Sequence, residues 1–503
     1  MRSVLCVFAC ISVLASGGAA QEASRPKKSP NILWLVSDDH AAYVCKAYGN
    51  RQARTPTIDR LAAEGIRFER AYCNSPLCSA SRQSFLTGRL PHATGVTLLQ
   101  TPFPDREVTL AEHLRPLGYQ TAAIGKMHFN NKLAHGFAGR INYPEYHKYL
   151  KSHKPKPVEP GIEVLPAWKP FRDPARVWLN GMYHPFGRYD NDMPGTYFAR
   201  QGVEYMRENR DKPFFLIVSL YEPHSPFRFP IEYRGMFDPA EMPLHRPGPE
   251  DAWQIPAIFE DLTDAEKQRI TAAYYTSTAF MDKNMGIVLK GLAEAGLKRD
   301  TLICYFGDHG YSLGQHGRFE KHCFYEPAVR APLVFSWQGR IRAGQSSQAL
   351  VEFVDIVPTV LDLCGLPAMK GIHGRSVRPV IDGQSDRARE YVFSEYLNNE
   401  TAMIRTDRYK LVYTTGKRKR TDGYWVHKPL TSRKVFLYDT KVDAEEFHNI
   451  ADRPDMRETR QRLLDLLEKH LIETQNERPR FPESATQVER IDKLLVPPEL
   501  ASS

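Results

Sequence analysis

The sequence predicts an α/β fold: a mainly parallel central sheet flanked by helices, followed by a smaller C-terminal α+β domain with a short antiparallel sheet. Three features carry that prediction. Three continuous apolar runs each end in charged or imidazole residues, amphipathic stretches lie between them, and beyond Arg375 the pattern changes to short strand candidates. The first run, Asn31 to Ser37 (NILWLVS), ends in Asp38-Asp39. The second, Pro213 to Leu220, ends in Tyr221-Glu222-Pro223-His224, and the third, Thr301 to Phe306, in Gly307-Asp308-His309-Gly310. An uninterrupted apolar run suits a strand covered on both faces. Polar groups gathered at the C-terminal ends of such strands mark the edge where open α/β sheets place their sites.

The helical stretches are Thr57 to Glu64, Leu110 to Leu117, Thr196 to Glu208 and Asp264 to Leu292. Residues 140 to 194 have little periodicity but are rich in Pro, Tyr, Trp and Lys, which marks an irregular insert that either contacts substrate or packs on the domain. Past Arg375, strands at Glu390–Glu395, Ala402–Thr406, Lys410–Thr414 and Val435–Tyr438 precede a helix over Met456–Thr474. Lys417-Arg418-Lys419-Arg420 reads as a solvated hairpin tip, and the polar tail after Gln475 as extended or frayed. The expected division is a leader over 1–20, a main domain over 21–380 and a C-terminal subdomain over 381–503.

Arg2, the apolar run Val4 to Leu14 and the small residues Ala15 to Ala20 have the form of a secretory signal peptide cleaved near Ala20, so the protein is expected to be exported. No other segment is long and apolar enough to span a membrane. Beyond the leader stand six cysteines, Cys45, Cys73, Cys78, Cys304, Cys323 and Cys364. They are too few for a disulfide framework in so long a chain, with Cys45–Cys73 as one candidate bridge. The formal charge of +9 suits an acidic substrate, while export argues against nucleic acid as a partner.

Cys78-Ser79-Ala80-Ser81-Arg82 places a thiol four residues before a guanidinium. If the segment after Cys78 is helical, the thiol lies at a helix N-terminus, where free N–H groups favour anions and lower a thiol pKa. A lone cysteine of this kind also suits a buried small hydrophobe. Asp38, Asp39 and Asp308-His309 at two strand ends form an oxygen-rich set suited to a hard divalent cation, with His309 adding nitrogen.

The stretch from Cys78 through Ala80 and Arg82 to Thr87-Gly88-Arg89 resembles the signature of the type I sulfatases, members of the alkaline-phosphatase-like superfamily. The resemblance extends from Asn31 through the segment Glu352 to Asp362 and on to Leu437-Tyr438-Asp439. It implies that Cys78 is converted by a maturase to formylglycine, whose hydrate is the nucleophile, and that Asp38, Asp39, Asp308 and His309 hold a divalent cation beside it, Ca²⁺ ahead of Mg²⁺. Gly125-Lys126-Met127-His128, Glu222-Pro223-His224 and Lys321 match further family elements, Glu222 standing where an Asp is usual. The resemblance assigns sulfate oxygens to Lys126 and Lys321, support of the modified side chain to Arg82, protonation of the leaving alcohol to His224 with Lys321, and the base to His128. Relatives matured by the oxygen-dependent enzyme generally carry Pro where this chain has Ala80, which points to the radical-type maturase.

Cys73 to Cys78, Gly125 to Phe129 and His135-Gly136-Phe137 are most similar to the choline-sulfatase-like branch and to bacterial glycan sulfatases. Export and the basic, aromatic insert favour a sulfated carbohydrate, with Arg228, Tyr311, His322 and the Lys148–Lys156 stretch as candidate substrate contacts. Two other classes fit parts of the pattern: a phosphonate or phosphate ester hydrolase, and a catalytically silent glycan-binding relative. The oligomeric state is not fixed by these features.

Overall fold

A computed structural model describes residues 29–167, 175–417 and 424–501. The expected signal segment and residues 418–420 of the basic run lie outside the described residues. The large sheet has eight strands: β1 (Asn31–Asp38), β2 (Ile66–Tyr72), β3 (Gln120–Gly125), β4 (Gly139–Ile141), β5 (Phe214–Pro223), β6 (Thr301–Gly307), β7 (Leu333–Ser336) and β8 (Gln345–Glu352). Their order is β4-β3-β5-β1-β6-β7-β2-β8, and every pairing is parallel except the two made by β7. The three apolar runs of the sequence are the three central neighbours β5, β1 and β6, with Leu33 of β1 beside Leu216 on one side and Ile303 on the other.

Alternation along β1 divides the core. Ile32, Trp34 and Val36 enter the cluster on one face, and Leu33 and Leu35 the cluster on the other. Trp34 meets Phe85, Phe215 and Phe306 edge-on, at ring separations of 6.1, 5.1 and 5.5 Å. Phe85 belongs to the helix Cys78–Thr87, so this contact seats that helix on the sheet. Helices Pro194–Glu208 and Asp264–Glu294 cover the opposite face, contributing Phe198, Met281, Met285 and Val288. A capping box between Thr263 and Glu266 starts the second of them.

The C-terminal sheet is antiparallel in the order β12-β11-β10-β9, built from β9 (Tyr391–Tyr396), β10 (Thr401–Thr406), β11 (Tyr409–Thr414) and β12 (Lys434–Asp439). Leu463, Leu467 and Leu471 of the helix Arg457–Glu473 pack on Phe393, Ile404 and Leu411 of this sheet. The tail differs from its expected extended form. Residues 487–494 form a helix with its own Thr486/Glu489 capping box, and Ile491, Leu494 and Leu495 enter the same core. Glu499 then accepts hydrogen bonds from Thr97 N (2.8 Å) and Thr101 Oγ1 (2.7 Å), tying the tail to the large sheet's side of the molecule. Lys417, the one described residue of the basic run, is exposed between β11 and β12 as a solvated tip should be, with its Nζ 2.6 Å from Asp492. Cys45 and Cys73 are both free and buried, so the candidate bridge between them is absent. No described helix is long and apolar enough to cross a membrane.

One glycine governs how β3 delivers its C-terminal residues. Gly125 has φ of +89°, and a Cβ there would stand 1.9 Å from Ser219 O of β5. Gly125→Ala combines left-handed strain with a backbone clash, so it is expected to cost about 3 kcal/mol or more. Thermal unfolding of variant and parent checks this, and an unchanged midpoint would refute it.

Candidate active site

The C-terminal edge of the parallel strands brings the expected residues together. Asp38 closes β1 and Asp39 follows it, Lys126 and His128 follow β3, His224 follows β5, and Asp308-His309 follow β6. Cys78 opens the helix Cys78–Thr87 and is 2% exposed, with Arg82 one turn further along and also buried. Its Sγ lies 3.1 Å from His309 Nε2 and 3.4 Å from Asp38 Oδ1. Arg82 Nε donates to Asp308 Oδ2 (2.9 Å), and its Nη1 donates to Lys126 O (2.7 Å) and Ser219 Oγ (2.9 Å). Lys126 Nζ donates to Asp38 Oδ2, and Lys321 Nζ to both Asp39 oxygens at 2.8 and 3.0 Å. His224 Nδ1 faces Ser225 O at 2.7 Å, with Nε2 3.9 Å from Asp39 Oδ2. The backbone N–H groups of Asp39 and His309 both donate to Asp308 Oδ1 at 3.0 Å.

Electrostatics follow from this crowding. Burial would raise the Cys78 thiol, but Lys126, Lys321 and His309 outweigh it and hold the thiol well below its usual value. The position therefore favours a group that carries negative charge. Burial and the neighbouring Asp38 charge push Asp308 up, a sign of carboxylates packed closer than their counter-charges satisfy. Burial opposes protonation of His309, and Asp308 and Cys78 outweigh it in the other direction. His128 is lowered by burial, and its Nδ1 has no hydrogen-bond partner.

These residues fit a divalent cation. Donor atoms of Asp38, Cys78, Asp308 and His309 lie within 4.8 Å of one another, and so do those of Asp38, Asp39, Cys78 and His224. All five residues expected around a metal fall in these two overlapping groups. The position of Cys78 fits formylglycine as well, its Sγ standing where an oxygen of the hydrated aldehyde would stand, at a helix N-terminus among cationic groups.

The site opens into a cavity of about 550 Å³ whose lining includes Cys78, Lys126, His128, His224 and Lys321. Arg228, Tyr311 and His322 line it too. The Tyr311 hydroxyl is spent on Phe319 O (2.5 Å) and its ring stacks on Tyr274, so it braces the wall. His322 is held by Glu320 Oε2 at 3.0 Å and stacks on Tyr396. The Lys148–Lys156 lysines do not line the cavity; the insert instead contributes Tyr143, Tyr146, His147, Trp178, Phe186 and Arg188. Its aromatic richness was the only sequence signal for these.

A profile described as Sulfatase matches residues 30–366. The chain belongs to the sulfatase family. It is accordingly a sulfuric ester hydrolase with an alkaline-phosphatase-like α/β fold. A second profile, described as N-sulphoglucosamine sulphohydrolase, C-terminal, matches residues 314–475 of this sulfatase. A relative from Bacteroides thetaiotaomicron named N-acetylglucosamine-6-O-sulfatase is 26% identical, over 91% of this chain and 89% of the relative. Among solved structures, a phosphonate monoester hydrolase from Silicibacter pomeroyi superposes with a TM-score of 0.74 at 22% identity, covering 89% of this chain and 96% of that one. A protein solved in complex with its substrate D-glucosamine-2-N,6-O-disulfate superposes with a TM-score of 0.71 at 23% identity, covering 89% and 98%.

Glu222 is a residue whose setting the sequence did not disclose. It is buried on the cavity lining, and neither carboxyl oxygen has a hydrogen-bond partner. Gly195 makes room for it, since a Cβ there would stand 2.9 Å from Glu222 Oε2 and from Asn284 Nδ2. Burial raises Glu222 from 4.5 to about 7. The folded chain thus keeps a proton that the unfolded chain releases, so this group's stabilising contribution is complete below about pH 4.5 and is lost as pH rises through about 7. Glu222→Gln should remove that loss, gaining up to about 3 kcal/mol on the parent between pH 5 and pH 8. Denaturation midpoints across that range test it, and parallel pH profiles for the two proteins would refute it.

Proposed function

We propose that this sulfatase is exported and removes a sulfate monoester from a carbohydrate, using formylglycine formed from Cys78 and a divalent cation held by Asp38, Asp39, Asp308 and His309. The observation that carries the reading is Cys78 itself, buried at a helix N-terminus on the cavity lining, between the carboxylates and the two lysines. The N-acetylglucosamine-6-O-sulfatase relative and the bound sugar disulfate of the structural neighbour support a carbohydrate. The leader-like residues 1–20 support export.

Each side chain then has a task. Lys126 and Lys321 each carry three donors, so those not spent on Asp38 and Asp39 are available to sulfate oxygens in the cavity they line. The cation, Ca²⁺ ahead of Mg²⁺, supplies further neutralisation of sulfate charge when bound. The hydrate of the aldehyde supplies the oxygen nucleophile. Arg82 ties the first turns of the helix to Asp308, Ser219 and the Lys126 carbonyl, which positions the backbone of residue 78 at the cavity. His224 Nδ1 lies 2.7 Å from Ser225 O, so the imidazolium, with Nδ1–H held there, can give its Nε2 proton to the departing alkoxide and is left as the neutral Nδ1–H tautomer. His128, kept basic-form by burial, accepts a proton from the side chain at position 78. Ala80 favours a radical-type maturase as the partner that prepares Cys78.

A second reading, phosphonate or phosphate monoester hydrolysis, is favoured by one observation: the fold likeness to phosphonate monoester hydrolase. The same cationic pocket can hold either tetrahedral oxyanion.

The intact mass of the Cys78 peptide from native protein should be that of formylglycine, and an unmodified thiol in active enzyme would overturn the assignment. Cys78→Ala is expected to lose at least about 1,000-fold in kcat, and Lys321→Ala about 100- to 1,000-fold. Matured enzyme should turn over 4-nitrophenyl sulfate faster than an aryl phosphonate monoester, and the reverse order would establish the second reading. Chelation should abolish activity, with Ca²⁺ or Mg²⁺ restoring it.

A further inference from the structure

The alcohol side of the cavity carries its own charge pattern. Arg188 and Arg228 both line it, remote in chemistry from the lysines and histidines already assigned. They ride on two short segments held side by side: Phe186 N donates to Phe229 O and Ile231 N to Arg188 O, both at 2.9 Å. Arg228 is fixed further. Its Nη1 donates to Tyr143 OH at 2.9 Å, its guanidinium lies over the Phe186 ring at 4.5 Å, and Ser277 Oγ donates to its carbonyl at 2.8 Å. Its Nε is buried and has no hydrogen-bond partner. Among the described residues neither guanidinium has a carboxylate within ion-pair distance, and Glu222 is the one acid on the lining.

Two guanidinium groups on one lining, Arg228 held by its side chain and Arg188 by its backbone, with no carboxylate in ion-pair distance, are a poor arrangement for an apolar or cationic alcohol. They suit an oxyanion that can take donors from both. Burial raises Glu222 to about 7 against the opposing pull of Arg228, so near neutrality it offsets the two positive charges only in part. Tyr143 and Phe186, both partly exposed on the lining, supply aromatic surface for a sugar ring.

We infer that Arg188 and Arg228 form a second anion subsite, so that the preferred substrate is a sulfated sugar bearing another oxyanion, a carboxylate or a second sulfate, on the part that leaves. This rests on the carbohydrate sulfatase reading and narrows it. The shared chemistry is the oxyanion, and the substrate arms of the test separate its two sources.

The test compares kcat/KM of matured enzyme on D-glucosamine-2-N,6-O-disulfate, a 2-sulfated hexuronate, N-acetylglucosamine 6-sulfate, choline sulfate and 4-nitrophenyl sulfate. At least one of the two doubly anionic sugars should exceed N-acetylglucosamine 6-sulfate by about 10-fold or more. The one that does so identifies the anion. Arg188→Ala and Arg228→Gln should each lower the ratio of that kcat/KM to the value for 4-nitrophenyl sulfate by about 10- to 100-fold, chiefly through KM. Should a variant fail to fold, inhibition of the parent enzyme by the desulfated anionic product, at least about 10-fold tighter than by its neutral analogue, gives the same answer. A preference for choline sulfate or the neutral sugar, or a ratio unchanged in both folded variants, overturns the subsite. So does turnover of 4-nitrophenyl sulfate with neither anionic sugar accepted. Absence of turnover on every sulfate by protein carrying formylglycine would instead overturn the underlying reading.

Discussion

The buried carboxylates at the ends of β1 and β6 are the constraint on which the rest of this structure depends. Asp38, Asp39 and Asp308 are fully buried, and an uncompensated buried charge costs several kcal/mol. Each is met by cations from different parts of the chain. Lys126 and Arg82 reach Asp38, Lys321 reaches Asp39, and Arg82 reaches Asp308. These partners come from the turn after β3, the helix after β2 and the loop after β6, so the carboxylates can be neutralised only when those elements are all seated. Strand order and site assembly are in this sense one problem, solved by the adjacency of β3, β5, β1 and β6.

Arg82 shows how tightly the two are linked. A surface arginine would contribute little, but this one spans Asp308, Ser219 and the Lys126 carbonyl, joining three strand ends to the helix that begins with Cys78. The helix is anchored at its far side by Phe85 against Trp34. The reactive position is thus held from below by apolar packing and from the side by a charge network. A side chain at 78 sits where its negative charge is stabilised before any substrate arrives.

The central strands, the long helices and the residues that gather at the candidate site were legible because each sits in contiguous sequence. A strand buried on both faces is a continuous apolar run, and the groups at its C-terminal end follow it directly, as in Val36-Ser37-Asp38-Asp39 and Tyr305-Phe306-Gly307-Asp308-His309. The remaining strands leave weaker marks. β4 has three residues, β7 has four, β3 is made largely of small residues, and β8 begins with an exposed alternation at the edge of the sheet. The tail helix was hidden because its few apolar residues sit in a polar sequence and become a pattern only when Ile491 and Leu494 face the C-terminal core. Glu222 looked like a minor variant of a motif. The room it occupies depends on Gly195, which is distant in sequence and carries no signal of its own.

The cavity divides the same way. Its charged end is made by strand termini whose positions the carboxylates enforce, whereas its aromatic and arginine-bearing wall comes mostly from residues between β4 and β5. That connection leaves the edge strand and returns to the middle of the sheet, passing over the C-terminal edge on the way. Ahead of the core-forming helix Pro194–Glu208, no described residue of 142–193 takes part in the hydrogen bonds that hold Asp38, Asp308 and Arg82, so that part can vary more freely than the rest. Reaction type and choice of alcohol are consequently written in separable parts of the chain. The first is fixed by burial of charge, which tolerates few substitutions. On the proposed reading the second falls to cavity-lining residues such as Arg188, which stand outside the charge network of the strand ends.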